Sequence, residues 1–186
     1  LMRRSYGLDL IETGQFMASI LLIGGTAGVF MGGVLADRLG GWDKGWYAKL
    51  PMIAWAISAP MFMVGLSAPT WWVGWLLLLI PNGLNILWLG PISTSIQHLV
   101  PRHMRATASA SFLMINNLIG LGLGPMLIGA MSDYFKAGYG DDSLRMAAVI
   151  CVSFYLVAAL LAALAIKPLR RGWVADEETA SAQLAD

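Results

Sequence analysis

Long apolar stretches separated by short polar segments dominate the pattern of residues along the chain. Five stretches contain no Asp, Glu, Lys or Arg, and each is long enough to cross a bilayer as a helix. They cover residues 13–36, 51–68, 70–98, 106–132 and 146–166. The runs are continuous rather than alternating, which argues against a strand barrel, and backbone groups in lipid must bond internally. The pattern predicts an all-α, polytopic transmembrane helical bundle.

Composition supports a membrane protein and excludes several other classes. Of the 186 residues, 58% are hydrophobic and only 12% are charged, and the mean hydropathy is +0.67. These values argue against a disordered chain, a soluble globule and an ordinary cytosolic enzyme. The single cysteine, Cys151, excludes an internal disulfide and any multi-cysteine metal site. The first stretch is too long for the core of a signal peptide and lacks a cleavage pattern.

Basic residues between the predicted helices give an orientation. Alternate segments share a side of the membrane, and the side richer in Lys and Arg is normally cytoplasmic. The richer side carries Arg38, Lys44, Lys49, Arg102, Arg105, Lys167, Arg170 and Arg171, whereas the other carries Arg3, Arg4, Lys136 and Arg145. We therefore expect the C-terminus in the cytoplasm.

This topology divides the chain into three parts. Residues 1–12 are expected to be the external end of a preceding helix and its link, and residues 13–168 the five-helix bundle. Residues 169–186 are acidic and alanine-rich towards their end and are expected to form a mobile cytoplasmic tail. Because the chain opens on Leu1 rather than methionine, we expect it to be a fragment of a longer protein.

Small residues recur at helical spacing in two of the predicted helices. The positions are Gly24, Gly28 and Gly32 in the first helix, and Gly120, Gly124 and Pro125 in the fourth. Small side chains let helix backbones approach closely in lipid, where burying apolar surface gains little. Two interpretations stay open: fixed helix packing, or faces that move against neighbouring helices during a transport cycle.

Polar residues form a stripe on the third predicted helix and a second one on the fourth. The positions are Asn82, Asn85, Ser93 and Gln97 on the third helix, and Asn116 with Asn117 at its edge on the fourth. Pro81 and the Gly90–Pro91 pair predict a kink in the third helix. A polar stripe on a broken helix favours the lining of a water-filled cavity, and interhelical hydrogen bonding is the alternative. The second and fifth helices carry almost no polar atoms and are expected to face lipid.

Residues that would indicate catalysis or a cofactor are missing from the sequence. His98 and His103 lie close together but have no third metal ligand nearby. There is no Ser-His-Asp order, phosphate-binding glycine loop or paired intramembrane carboxylate. We therefore expect no enzyme, no metal, no cofactor and no nucleic-acid partner. A five-span membrane enzyme and a non-catalytic structural membrane subunit remain as alternatives to a carrier of solutes.

The loop after the first predicted helix carries a recognisable signature. Residues 33–40 read GVLADRLG, with the defining positions Gly33, Asp37, Arg38 and Gly40. This resembles the glycine–acid–arginine–glycine signature that major facilitator superfamily transporters carry between the second and third helices of each six-helix half. The sequence departs from the signature after Gly40, because residues 41–44 read GWDK where two basic residues are usual.

Two further stretches narrow the resemblance. Residues 100–108 read VPRHMRATA and lead into NNLIG at residues 116–120, which resembles the eleventh helix of the spinster-like branch of that superfamily. The opening YGLD at residues 6–9 resembles the link between that branch's seventh and eighth helices. The resemblance covers nearly the whole chain. It implies that the five helices are the eighth to twelfth of a twelve-helix transporter, a partial C-terminal half of the major facilitator superfamily fold.

The resemblance also implies a function. It predicts a secondary active transporter, symporter or antiporter, or else a facilitator, that moves a small solute by alternating access between two halves. The implied partners are the lipid bilayer, the solute and the missing N-terminal half of the same transporter. A proton is a candidate coupling ion, and its carboxylate would lie in the absent half because the predicted spans contain no acid.

Site residues and location follow from the same resemblance. The asparagines of the two polar stripes are expected to line the substrate cavity. Asp37 and Arg38 are expected to act as a cytoplasmic latch, with Arg105 as a partner within this half. The expected location is a multi-pass position in the bacterial inner (plasma) membrane.

Overall fold

The computed structural model describes residues 9–65, 68, 70–140 and 143–173, and these ranges contain five long helices. Helix α1 runs from Leu10–Ser19 through a π-helical segment, Ile20–Gly25, to Thr26–Gly40, and α2 is Trp46–Gly65. Helix α3 has two parts, Trp71–Ile86 and Leu89–His98. A short 3₁₀ turn, Arg102–Met104, precedes α4, which runs from Arg105–Asn117 through a π-helical segment, Leu118–Leu123, to Gly124–Tyr139, and α5 is Ser143–Gly172. All five are long and apolar enough to cross a membrane. The predicted all-α transmembrane bundle is confirmed.

Helix α2 packs along α3 and α5. Helix α1 packs against α3, and the C-terminal part of α4 packs against α5. Among the described spans α2 is the most buried, but its side chains Ile53, Ile57 and Val64 are exposed. This exposed apolar surface is available to lipid, so the expectation that α2 faces lipid stays a prediction. Lipid and neighbouring helices are equally apolar, so a lack of polar atoms does not by itself indicate which of them a helix contacts.

The ends of α1 and α5 differ from the predicted boundaries. Helix α1 begins at Leu10 because Asp9 and Glu12 form a capping box: the Leu10 N–H donates to Asp9, and the Asp9 N–H donates to the Glu12 carboxylate at 3.0 Å. Helix α5 continues through Pro168 to Gly172, so residues 169–172 are helical rather than part of a mobile tail. The rest of the predicted link, residues 1–8, and of the predicted tail, residues 174–186, lies outside the described residues.

Three glycines bring the backbones of α1 and α3 together. A Cβ atom at Gly28 would lie 2.0 Å from the Gly83 carbonyl oxygen, and one at Gly32 would lie 2.3 Å from that of Leu87. A Cβ at Gly24 would likewise be 2.9 Å from the Leu79 carbonyl oxygen. Only a hydrogen atom fits at these positions, so the first glycine stripe is an α1–α3 contact.

The second glycine stripe, on α4, has a different environment. Nothing lies within 4 Å of a Cβ atom built at Gly120 or Gly124, and Pro125 is exposed. The packing expected for this stripe is therefore not made with any residue that the structure describes. Pro125 instead follows the π-helical segment, where its missing N–H removes a regular helical hydrogen bond.

Prolines also shape α3. The helix continues through Pro81 but breaks at residues 87–88, because Pro91 lacks the N–H that would bond to the Leu87 carbonyl. The fully buried Ser58 of α2 donates a hydrogen bond to the Pro81 carbonyl oxygen at 3.3 Å. The two helices are thus joined at a proline in the middle of the bundle.

Candidate functional site

The four polar residues predicted to share a cavity on α3 have different environments. Asn82 is half-buried, and its Oδ1 atom is buried with no hydrogen-bond partner in the described part of the chain. The side chain of Asn85 is hydrogen-bonded to Tyr155 on α5, which matches the alternative of an interhelical bond. Ser93 is half-buried and Gln97 is exposed. Of these four residues, Asn82 has a buried polar atom without a described partner, a property that it shares on α3 with His98 Nδ1.

The polar stripe of α4 lies on a helix with little cover. Asn116 is half-buried and Asn117 is exposed, and both directly precede the π-helical segment. An aromatic contact connects this region to the break in α3: the Trp88 and Phe112 rings meet edge to face, with centroids 6.1 Å apart. Asn116, one turn after Phe112, therefore lies on the side of α4 that contacts α3, whereas Asn117 is exposed.

Two wide helical turns lie in the middle of α1 and α4. The segments Ile20–Gly25 and Leu118–Leu123 both contain two glycines. π-helical turns disturb the regular backbone ladder and occur frequently at functional sites. Both helices therefore carry an irregular turn at their middle, close in sequence to the glycine and asparagine positions described above.

A cluster of rings and charges joins four elements at the end of the bundle that carries the C-terminus. The Trp173 indole, which follows α5, stacks on the Tyr47 ring with centroids 4.9 Å apart and on the His98 ring at 4.6 Å. The Lys44 ammonium lies 5.0 Å from the centroid of the same indole. We call these residues the Trp173 cluster. It connects the α1–α2 loop, α2, the end of α3 and the end of α5.

Asp43, in the α1–α2 loop, forms the ion pairs beside the Trp173 cluster. Arg170 donates to both carboxylate oxygens, with Nε 2.7 Å from Oδ1, and Lys49 Nζ lies 2.9 Å from Oδ2. The Gly45 backbone N–H donates to Oδ1 at 2.9 Å. The Arg170 hydrogen bond, followed by that of Lys49, holds the pKa of the Asp43 carboxyl well below its ordinary value.

The predicted latch residues are placed differently from the expectation. Asp37 and Arg38 are exposed at the end of α1, and neither makes an ion pair with any described residue. Arg105 is half-buried at the start of α4. The charged contact within this half is made by Asp43 instead, because the loop turns it towards α5 and Gly45 leaves room for Arg170, whose Nε would be 2.7 Å from a Cβ there.

The two glycines of the signature differ in how closely they are packed. A Cβ atom at Gly40 would lie 2.3 Å from the Tyr47 ring, so this glycine allows Tyr47 to reach Trp173. A Cβ atom at Gly33 would meet nothing within 4 Å, but the Gly33 backbone lies against Gly90, where an added Cβ would be 3.2 Å from the Gly33 nitrogen. The signature thus supports the geometry of the loop as well as carrying its charges.

The depressed pKa of Asp43 predicts how acid affects stability. Since its pKa is lower in the folded protein, the carboxylate stabilises the fold fully above its ordinary pKa of 3.8, and this contribution is lost as the pH falls below that value. The difference in unfolding temperature between the native protein and Asp43→Asn should stay constant from about pH 8 to pH 5 and shrink below about pH 4. Asp37→Asn, which alters an exposed carboxylate without a described ion pair, is the control and should leave the unfolding temperature unchanged over the whole pH range. A difference that already shrinks near neutral pH would contradict this assignment.

Sequence reasoning missed two of these contacts. Asp43 could have been noticed as an acid at a position where the family signature carries a basic residue. Tyr155 could have been noticed as the one hydroxyl-bearing ring in the middle of α5, which needs a polar partner in lipid. Neither signal identifies the partner, because Arg170 and Asn85 are far away in sequence.

Comparisons with known proteins agree with the predicted resemblance. The chain is 29% identical over 169 residues to an MFS-type efflux pump of Mycolicibacterium smegmatis, covering 90% of this chain and 39% of that protein. The crystal structure of a bacterial homologue of the human lysosomal transporter Spinster, inward-facing and unoccupied, superposes with a TM-score of 0.84 at 23% identity. That match covers 94% of this chain and 44% of the other chain. No protein-family model matches the chain.

The chain spans less than half the length of each of these two proteins. The structural match shows that the five helices have the same fold as the matched part of that bacterial Spinster homologue. The predicted resemblance and the predicted fold class are confirmed.

Proposed function

We propose that the chain forms five helices of the C-terminal half of a transporter that moves a small solute across the membrane by alternating access, without catalysing a reaction. The observation that carries the proposal is the Oδ1 atom of Asn82, which is buried without a partner in a membrane-crossing helix. An unsatisfied polar group in this position is costly, which favours a solute or water as its partner. A purely structural subunit would be expected to pair it.

The open face of α4 supports the presence of a second half. Its span contains no buried residue within the described structure, although it carries Asn116, Gly120 and Gly124. We assign this face to contacts with the N-terminal half and to the pathway between the halves. The wide turns in α1 and α4 would let these helices bend as the halves move.

The charges of the signature loop divide into two roles in this proposal. Asp43 and Arg170 hold the loop to its own half. Asp37 and Arg38, which are exposed, act as the latch towards the other half, together with Arg105. With the C-terminus in the cytoplasm, this latch closes the cytoplasmic side, and the protein lies in the bacterial inner membrane.

The coupling ion is assigned to the absent half. In the middle of the five described spans there is no carboxylate that could carry a proton, and Glu12 lies in the first turn of α1. A proton-coupled mechanism therefore needs an acid elsewhere in the transporter, and without one the protein is a facilitator.

Single cysteines test the aqueous pathway. In a full-length Cys151→Ser background, cysteines at Asn82 and Asn116 should react with a charged, water-soluble maleimide, and added transported solute should change the rate. A cysteine at Leu160, an exposed apolar position on α5, is the lipid-facing control and should react slowly. Equal rates at Asn82 and Leu160 would favour a structural subunit.

A further inference from the structure

A cavity of about 400 Å³ lies between the first turns of α1 and α3. It is at the opposite end of the bundle from the Trp173 cluster, because α1 and α3 both begin there. Its polar wall contains Glu12 and Gln15 of α1, and its aromatic wall contains Trp71, Trp72 and Trp75 of α3. The described lining includes no Lys or Arg, and the volume is typical of small-molecule sites.

Hydrogen bonds and ring stacking hold both walls in place. The Trp75 indole N–H donates to the Ser19 hydroxyl at 2.8 Å, and that hydroxyl donates to the Phe16 carbonyl at 2.9 Å, which fixes the indole against α1. The Trp71 and Trp72 rings stack with centroids 3.8 Å apart. A site whose aromatic walls are already positioned loses little entropy on binding.

The capping box fixes the carboxylate of this cavity. Glu12 Oε2 accepts the Asp9 backbone N–H at 3.0 Å, which holds the side chain at the start of α1. Its other oxygen has no hydrogen bond or ion pair with a described residue. A negative group therefore shares the lining of this cavity with three indoles.

We propose that this cavity binds an organic monocation through an ammonium group placed between the indole faces and Glu12. Indole faces are electron-rich and attract cations, and the nearby carboxylate adds attraction. An anion would be repelled by Glu12 and Asp9. A role as the first site at the external mouth of the pathway rests on the proposed function, whereas the binding itself does not.

The alternative role of these tryptophans is to anchor α3 at the membrane interface, where Trp is enriched without any ligand. A matched pair of ligands separates the two. Choline carries a quaternary ammonium, and 3,3-dimethylbutan-1-ol has the same shape with carbon in place of nitrogen. Indoles that only anchor the helix would not distinguish the two compounds by charge.

The test is a calorimetric titration of the purified full-length protein in detergent with each compound. Choline should bind about two- to thirtyfold more tightly than the alcohol, as expected for a cation–π contact. Glu12→Gln and Trp72→Leu should each weaken choline binding by a similar factor and leave alcohol binding unchanged. Glu12→Gln keeps the capping box, since glutamine can accept the same N–H, and Trp72 is 63% exposed, so neither change should unfold the protein.

The control variant is Trp42→Leu, which alters a tryptophan that is 90% exposed in the α1–α2 loop and should leave binding unchanged. Equal binding of choline and the alcohol, no binding of either, or choline binding that is indifferent to Glu12→Gln and Trp72→Leu would each overturn the proposal. None of these results depends on transport, so a protein that moves solute and fails this titration would lose only the cation site.

Discussion

Gly28→Ala should destabilise the protein, although alanine is normally the better helix former. A Cβ atom at this position would lie 2.0 Å from the Gly83 carbonyl oxygen, so α1 and α3 must separate. Overpacking of this kind costs about 1–3 kcal/mol, which outweighs the gain of about 1 kcal/mol from helix propensity. The expected result is a lower unfolding temperature and less correctly folded protein, measured by thermal unfolding and size-exclusion chromatography in detergent.

The matched control is Gly14→Ala in the same helix, where no described atom lies within 4 Å of an added Cβ. This change should be neutral or stabilising, by up to about 1 kcal/mol. The same substitution is thus expected to lower the stability of the protein at Gly28 and to maintain or raise it at Gly14. Finding that both variants are equally stable would show that α1 and α3 are not in backbone contact.

Trp173→Leu should weaken the connection between the end of α5 and the rest of the bundle. The variant keeps apolar bulk but loses two ring stacks, with Tyr47 and His98, and the contact with the Lys44 ammonium. Each aromatic pair is worth about 0.5–1.5 kcal/mol, so the combined loss should be about 2 kcal/mol. The measurement is the thermal unfolding midpoint of the full-length protein in detergent.

Trp42→Leu provides the comparison for this change, because Trp42 lies in the neighbouring loop and is 90% exposed. It should leave the midpoint unchanged. If the two substitutions lowered the midpoint by the same amount, the effect would come from the general loss of an interfacial tryptophan rather than from the stacked Trp173 cluster.

Local pattern was sufficient to predict the five helices and the face on which α1 carries its glycines. Both depend on properties that act within a single helix, namely length, charge exclusion and a spacing of four residues. The burial of α2 depends instead on which helices surround it, and composition does not reveal this in a solvent as apolar as the helices themselves.

The polar stripe of α3 shows where a helical projection stops being reliable. Asn82 and Asn85 fall on one arc at 100° per residue, yet Asn85 is bonded to Tyr155 of α5 and Asn82 Oδ1 has no described partner. Beyond the break at residues 87–88 the helical phase is not continuous, so Ser93 and Gln97 cannot be placed on the same arc. The Asp43–Arg170 pair joins residues 127 positions apart, which no local pattern encodes.

The signature loop illustrates how a departure from a family pattern changes a local structure. An acid at position 43 binds Arg170 and Lys49, and Asp37 is left exposed. One carboxylate therefore ties the loop to α5, and the exposed Asp37 is the one that the proposed latch would use. This division is consistent with a latch that opens and closes while the half to which it belongs stays intact.

The most direct test of the central claim is the sidedness of labelling at position 82. A full-length protein with Asn82→Cys in the Cys151→Ser background would be exposed to a membrane-impermeant maleimide in right-side-out and in inside-out vesicles. Alternating access predicts that this half-buried position is labelled from both sides, and that locking the transporter in one state abolishes labelling from the other side. Labelling from one side only under every condition, or from neither, would contradict it.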